Sequence, residues 1–450
     1  MLKLYNTSTR KIEVFKPLSA PKVTIYTCGP TVYSSPHLGN FAAYIYWDLL
    51  LRVLKANGYA PKRILNLTDV GHLTSDGDTG EDKLEKGAKR EGKTVWQIAD
   101  TYIAEFKQGY KELKLLEPSA WARATDYIAE SQALVDALTK RGFTYETADG
   151  IYFDTAKFPA YANFARLDLQ NLKAGARVDY SKEKHHVSDF AVWKFIKPGE
   201  NHAMHWDYLG RSGYPGWHLE CSSIIHTLLG EPIDIHTGGV DHIPVHHTNE
   251  IAQTFGAFGS NLANFWLHCN FIRIDGEKIS KSLGNIITLS DIKNRSFSPA
   301  DFKLWLYQGH YRSERNFTWD DLAAAKARRL KWQNAIAMCY QTPQKPAKEN
   351  FKQTLLTCLN EDLSSASAFA LIDEHLNSLS LDDWQYVENI FALSLFPTDI
   401  TPQVLPLINA RNAARQTKDY QTADHIRDKL AAQNLTLLDT SEGTFWQLKD

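Results

Sequence analysis

Three segments far apart in the chain carry side chains that bind soft metals: Cys28, Cys221 and the pair His246/Glu250. His246 and Glu250 stand four residues apart, so on one helix they share a face. Two thiolates, one imidazole and one carboxylate suit a tetrahedral Zn²⁺. No CxxC pair is present, and cysteine is commonly buried as a small hydrophobe. His236, His242 and His247 compete for the imidazole role, and the sequence does not rank them.

A second group of residues suits phosphate chemistry. Pro36-His37-Leu38-Gly39-Asn40 lies where a helix is expected to begin. Free N–H groups and the positive end of the helix dipole favour phosphate at such a place. Gly39 admits a flat ring or a phosphate, and His37 can donate to phosphate oxygens. In Gly276-Glu-Lys278-Ile-Ser-Lys281-Ser-Leu-Gly284-Asn285, two lysines bracket a short loop. Their ammonium groups can follow charge onto a departing pyrophosphate. Alone, each segment also fits an ordinary helix entry or a solvated basic turn; together they are far more specific.

The elements that must position these groups follow from hydrophobic spacing. Residues 23–27 read as a buried strand, 38–57 as an amphipathic helix ended by Gly58, and 62–67 as the next strand. That is a βαβ unit, hence a parallel pair. Helices are expected at 94–116, 122–141 and 217–229. A strand at 233–237 is followed by a turn at Gly238-Gly239, and 249–255 is helical. The expected organisation is a split sheet domain (1–142 and 191–265) with an inserted, β-rich module at 143–190. A loop-bearing region at 266–320 and a helical bundle at 321–398 follow. After a Pro-rich linker, 403–450 forms a small module of two helices and a strand at 435–439. Ligand groups that follow strand ends are where open parallel sheets bind substrates.

Composition narrows the class. At ~150 residues per domain, 450 residues suggest several domains. Apolar residues at 43% and charged residues at 23% are ordinary for a globular chain, which excludes wholesale disorder. Five cysteines in such a length are not a disulfide framework. The start of the chain has no apolar stretch suited to a signal peptide, and no run of ~18 apolar residues occurs. A cytoplasmic, multi-domain enzyme is expected. The formal charge of −2 does not advertise a nucleic-acid partner, so that reading must rest on local features.

His37-Leu-Gly-Asn40 resembles the HIGH motif of class I aminoacyl-tRNA synthetases, and Lys278-Ile-Ser-Lys281-Ser282 resembles their KMSKS motif. Within that class the chain resembles the cysteinyl-tRNA synthetases. The stretches that carry this are Thr27-Cys-Gly-Pro-Thr-Val-Tyr33, Asn66-Leu-Thr-Asp69, Gly216-Trp-His-Leu-Glu-Cys221, His236-Thr-Gly-Gly-Val-Asp241 and His246-His-Thr-Asn-Glu250. Gly309-His-Tyr-Arg312 and Lys418-Asp-Tyr-Gln-Thr-Ala-Asp-His-Ile-Arg427 extend it to the tail.

The resemblance implies an α/β protein: a Rossmann-like parallel-sheet catalytic domain, an inserted connective module, an all-α bundle and a small C-terminal α+β anticodon-binding module. It implies a ligase that activates L-cysteine with ATP to cysteinyl-adenylate and transfers it to the 3′ end of tRNA(Cys). One Zn²⁺ per chain is implied on Cys28, Cys221, His246 and Glu250, with Mg²⁺ accompanying ATP. His37, Asn40, Lys278 and Lys281 take the catalytic positions. His37, Gly39, Asn40, Gly238, Gly239 and Lys281 take the ATP-binding ones. Gly29, Thr68, Trp217 and Asp241 fall where the amino acid is held. The expected state is a monomer with no membrane association. In the tail, Trp446 and Arg427 are candidates for reading the anticodon.

Three departures from the family pattern stand out. Asn40 replaces the last histidine of HIGH and cannot carry positive charge. Leu38 and Ile279 are apolar swaps of similar volume. Thr248 replaces a commonly acidic residue between the metal ligands. A rival reading is a cysteine ligase that joins cysteine to an amino-sugar in thiol-cofactor biosynthesis. Such ligases share the zinc and both motifs but resemble the synthetase without its tail.

Overall fold

A computed structural model describes residues 1–71, 83–167, 183–197, 202–280 and 283–449. Its centre is a five-stranded parallel sheet. Across it the strands run Ala263–Cys269, Ile233–Gly239, Lys22–Thr27, Ala60–Leu67, Ala120–Arg123. In chain order that is fifth, fourth, first, second, third, so order reverses between Lys22–Thr27 and Ile233–Gly239. The β-branched and aromatic run Val23-Thr-Ile-Tyr-Thr27 suits this central, two-sided position.

Helix Leu38–Ala56 connects the first two strands and buries thirteen residues. One of them is charged. Asp48 accepts from Arg52 Nε at 2.8 Å, Lys303 Nζ at 3.1 Å and the Leu116 N–H at 2.7 Å. Burial alone would raise its pKa, but Lys303 and Arg52 outweigh burial and hold it below the usual value. The Asp48–Lys303 pair is fully enclosed and ties the first helix to helix Pro299–Tyr307. Asp48→Ala strands a buried ammonium, at an expected cost of about 3–5 kcal/mol. The urea midpoint should fall accordingly at constant slope; an unmoved midpoint would mean that Lys303 finds water instead.

The inserted module is an antiparallel sheet with strand order Thr144–Thr147, Gly150–Phe153, Phe190–Phe195, Arg211–Pro215, Trp206–Tyr208. It therefore reaches Pro215 and does not end at 190. Phe190–Phe195 pairs with strands on both sides, so the chain cannot leave the module there. The second half of the parallel-sheet domain begins with helix Trp217–Leu228. Its last strand, Ala263–Cys269, runs past the expected boundary at 265 and was not foreseen as a strand. The start of the helix expected at 122–141 is also corrected: Ala122 and Arg123 belong to the edge strand Ala120–Arg123, and the helix starts at Ile128. Pairing with Ile64–Leu67 overrides the helical leaning of Ala-Trp-Ala-Arg.

Beyond the sheet, helix Trp319–Gln341 leads a bundle with Phe351–Asn360, Ser365–His375 and Leu381–Phe391. The tail holds helices Thr401–Gln416 and Tyr420–Ala431 and a hairpin, Leu435–Thr440 with Gly443–Leu448. Trp446 is 1% exposed and sits in the core that joins tail and bundle. It does not present its ring for base stacking, whereas Arg427 is exposed beside Asp424 and Asp428. No helix among the described residues is long and apolar enough to cross a membrane.

Candidate active site and metal centre

Open parallel sheets bind ligands in the crevice where strand order reverses. Cys28 stands at the C-terminal end of Lys22–Thr27, and Gly238-Gly239 end the neighbouring strand Ile233–Gly239. The expected turn at these glycines comes one step later, at Val240–His242. A Cβ on Gly238 would come 2.6 Å from His242 Nδ1 and 2.7 Å from His247 Cε1, so only glycine lets those rings close over the strand.

Cys221 lies on helix Trp217–Leu228. A short π-helical turn, Ile243–His247, supplies His246 and runs into helix Thr248–Phe258, which supplies Glu250. Single donor atoms of Cys28, Cys221, His246 and Glu250 all lie within 4.8 Å of one another, and all four residues are buried. His246 Nε2 stands 2.8 Å from Glu250 Oε1. A second set, Cys28, His236, His247 and Glu250, meets the same limit. His236 Nε2 is 2.6 Å from Glu250 Oε2, and His247 Nε2 is 3.3 Å from Cys28 Sγ. His242, the third competitor, is in neither set.

Hydrogen bonds behind the cluster turn these rings. His246 Nδ1 meets His218 Nδ1 at 2.9 Å. His247 Nδ1 meets His268 Nε2 at 2.7 Å, and His268 Nδ1 meets Thr7 Oγ1 at 2.8 Å. Each imidazole thus keeps one nitrogen facing the sulfurs and the carboxylate. The hydrogen bond with Cys28 lowers Cys221 to about 6, against burial. Burial raises Cys28, and Cys221 and Glu250 push the same way. Of the two sulfurs, Cys221 is thus the one whose surroundings favour the thiolate. Burial would lower His246, but Glu250 and Cys221 raise it to about 10. Burial would raise Glu250, but His236 and His246 keep it ionised. Burial lowers His242 to about 4 and His247 well below its usual value. Two sulfurs, a nitrogen and a buried carboxylate oxygen are donors that fit Zn²⁺.

The two phosphate-type segments meet at the edge of this crevice. His37 caps helix Leu38–Ala56: its Nδ1 accepts from the Asn40 N–H at 3.3 Å, and Asn40 Oδ1 accepts from the His37 N–H at 3.0 Å. This reciprocal capping box gives Asn40 a local role that sequence reading did not assign. The Leu38 N–H donates to Ile287 O at 2.8 Å, and His37 bridges to Thr288. A Cβ on Gly39 would come 3.0 Å from Ile279 Cδ1. Lys278 is exposed at the end of hairpin Ile272–Ile274/Glu277–Lys278. Asn285 clamps the loop behind it, accepting from the Ser280 N–H at 2.9 Å and donating to Lys278 O at 3.0 Å. Lys281 and Ser282 lie outside the described residues.

The residues expected to hold the amino acid surround the cysteines. The Gly29 N–H donates to Asn66 Oδ1 at 2.7 Å, and Asn66 Nδ2 donates to Thr68 Oγ1 at 2.9 Å. Asn66 thus links Gly29 to Thr68, and sequence reading passed over it although it stands inside a quoted motif. The Trp217 ring centroid is 5.1 Å from that of His246. Asp241 is exposed in the turn after Gly239. His218, His268 and Asn66 are the supporting residues the sequence did not single out. The density of histidines between 236 and 247 was the available signal, but His218 and His268 lie outside it.

Residues 14–327 match the family model of the class I tRNA synthetase (C) catalytic domain. In fold the chain is similar to Mycobacterium tuberculosis methionyl-tRNA synthetase in complex with methionyl-adenylate. The TM-score is 0.59 at 14% identity, over 83% of this chain and 88% of that one. The family-model match over residues 14–327, on this sheet and its crevice, defines a class I aminoacyl-tRNA synthetase. Among curated relatives, the chain is 40% identical to Cysteine--tRNA ligase 1 of Burkholderia lata over 98% of its length and 96% of the relative's. It is 36% identical to Cysteine--tRNA ligase of Treponema denticola over 99% of both, and 35% identical to that of Thermus thermophilus over 100% and 99%. The chain belongs to the cysteine--tRNA ligase family.

Proposed function

We propose that the chain activates L-cysteine with ATP, forming cysteinyl-adenylate and pyrophosphate, and then passes the acyl group to the 3′ end of tRNA(Cys). The observation that carries this reading is the buried S₂NO donor set at the strand-order reversal, with the His37 helix entry bonded to Ile287 and Thr288, the segment that follows the Lys278 loop. Full-length likeness to relatives named Cysteine--tRNA ligase, tail included, supports the synthetase over an amino-sugar ligase.

No protein nucleophile is required, because the substrate carboxylate attacks the α-phosphorus of ATP; positioning and charge stabilisation carry the rate. The capping box holds the His37 ring through Nδ1, and His37 donates to the triphosphate. Gly39 and Asn40 line that helix entry. Gly238 and Gly239 stand at the strand end beside the adenosine, with the His242 and His247 rings occupying the space over Gly238. Lys278 and Lys281 neutralise charge as pyrophosphate departs, and Mg²⁺ accompanies the nucleotide. Gly29, Thr68 and Trp217 enclose the amino acid, and Asp241 takes its ammonium group.

Cys28, Cys221, His246 and Glu250 would hold one Zn²⁺ per chain, with His236 and His247 as their hydrogen-bonding neighbours. When bound there, the ion supplies a soft Lewis acid that prefers a thiolate sulfur to a neutral hydroxyl. The tail reads the anticodon and the bundle meets the tRNA stem. The reaction serves translation, so the enzyme works in the cytoplasm, as a monomer. Pyrophosphate exchange measured with each of the twenty amino acids tests the reading. Cysteine alone should support it; equal exchange with serine or valine would overturn it.

A further inference from the structure

The outer edge of the tail hairpin is not left open. Gly443–Leu448 pairs on one side with Leu435–Thr440, register Leu437↔Trp446 and Leu435↔Leu448. Along a strand, backbone groups face alternate sides with period two. At Trp446 and Leu448 the backbone groups that face away from the hairpin meet two side-chain amides of the long helix Trp319–Gln341. Gln341 Nε2 donates to Trp446 O at 2.9 Å, and Gln341 Oε1 accepts from the Trp446 N–H at 2.8 Å. Asn334 Nδ2 donates to Leu448 O at 3.2 Å, and Asn334 Oδ1 accepts from the Leu448 N–H at 2.7 Å. Each amide thus mimics a peptide group and pairs in both directions.

The spacing makes this a ladder. Asn334 and Gln341 are seven residues, or about two helical turns, apart, so they stand on one face. Ala337 lies between them on that face and belongs to the core that contains Trp446, Val404, Ile408 and Leu430. A small residue there lets the hairpin approach closely enough for both amides to reach it. An edge strand offers its free N–H and C=O groups to any partner of matching geometry. Here the partner is the helix that carries the bundle, so the tail is held in one orientation relative to the rest of the chain.

We infer that Asn334 and Gln341 are positioning residues for tRNA charging: their amide ladder sets the tail against the bundle so that both meet the same tRNA. The inference rests on the proposed reading of the tail. An RNA that binds at two distant places gains from a fixed spacing, because the ordering cost has been met before binding. Neither residue touches the sheet crevice, so amino-acid activation does not depend on them.

The test uses the full chain with Asn334→Leu and Gln341→Met combined, which do not lower helix propensity and remove all four hydrogen bonds. A second variant, Gln341→Glu, keeps an acceptor for the Trp446 N–H but sets a carboxylate against Trp446 O. Three quantities are read: hydrogen exchange of the Trp446 and Leu448 amides, cysteine-dependent pyrophosphate exchange, and the KM and kcat of charging. Expected are fast amide exchange at both positions, pyrophosphate exchange within twofold, and a KM for tRNA raised about tenfold with kcat little changed. Gln341→Glu should fall between this and the parent. Retained amide protection, unchanged KM despite lost protection, or equal loss of pyrophosphate exchange would each overturn the inference. A chain ending at residue 399, used only if its cysteine-dependent pyrophosphate exchange matches the parent's and so shows that it folds, separates the two levels. If it charges tRNA as well as the parent, the reading of the tail fails; if it does not, while the double variant does, only the ladder fails.

Discussion

Cys221→Ala should purify with little or no zinc and should lose most of its preference for cysteine over serine. One of four donors is removed, and it is the one carrying the thiolate, lowered to about 6 by its hydrogen bond with Cys28. What remains is a buried carboxylate, a histidine and a thiol whose pKa burial raises, a poorer cage for a borderline-soft ion. Serine and cysteine differ by one atom of similar size, and a pocket rejects such an isostere by only about 10²-fold. Selectivity in pyrophosphate exchange should therefore fall to roughly that level or below, while the urea midpoint shows that the chain still folds. Metal is counted per chain by elemental analysis. A variant that keeps both its metal and its selectivity would place the ion on the alternative set, Cys28, His236, His247 and Glu250, which shares the same crevice. His247→Gln then becomes the discriminating variant.

Gly29→Ala is expected to be nearly as damaging, although it adds only one methyl group. The new Cβ would stand 1.6 Å from the backbone oxygen of Asn66 and 2.6 Å from its carbonyl carbon. Backbone atoms of two neighbouring sheet strands cannot swing aside as a side chain can, so one strand end must move. Cys28 is the adjacent residue, and the Gly29 N–H bond to Asn66 Oδ1 is lost with the shift. Overpacking of this kind costs about 1–3 kcal/mol or more in stability. The larger effect should be functional: weaker metal retention against a chelator and a raised KM for cysteine, with the KM for ATP less affected. Unchanged metal retention would mean that the strand end absorbs the methyl without moving Cys28.

Much of this protein is legible in local chemistry. The buried strand at 23–27, the long helix after it, and the helices at 217–229 and 420–433 follow from apolar spacing and end signals. Such signals depend on residues within one or two turns of each other, so the chain states them directly. The edge strand Ala120–Arg123 is different: its four residues adopt extended geometry because Ile64–Leu67 stands ready to pair with them. The reach of the inserted sheet to Pro215 is likewise a matter of which strands lie on either side of Phe190–Phe195.

At the site, the residue types at 28, 221, 246 and 250 suit a soft cation, but spacing left buried structural cysteines and three other histidines open, and it was the family resemblance that singled out these four. That they converge, which other histidines stand around them, and how their protons are shared are properties of the folded chain alone. Burial and neighbouring charge set those proton affinities, and no segment carries its own burial. The same holds for Asn334 and Gln341. As two amides on a helix they say nothing, and they acquire a role only where a strand edge arrives more than a hundred residues later in the chain.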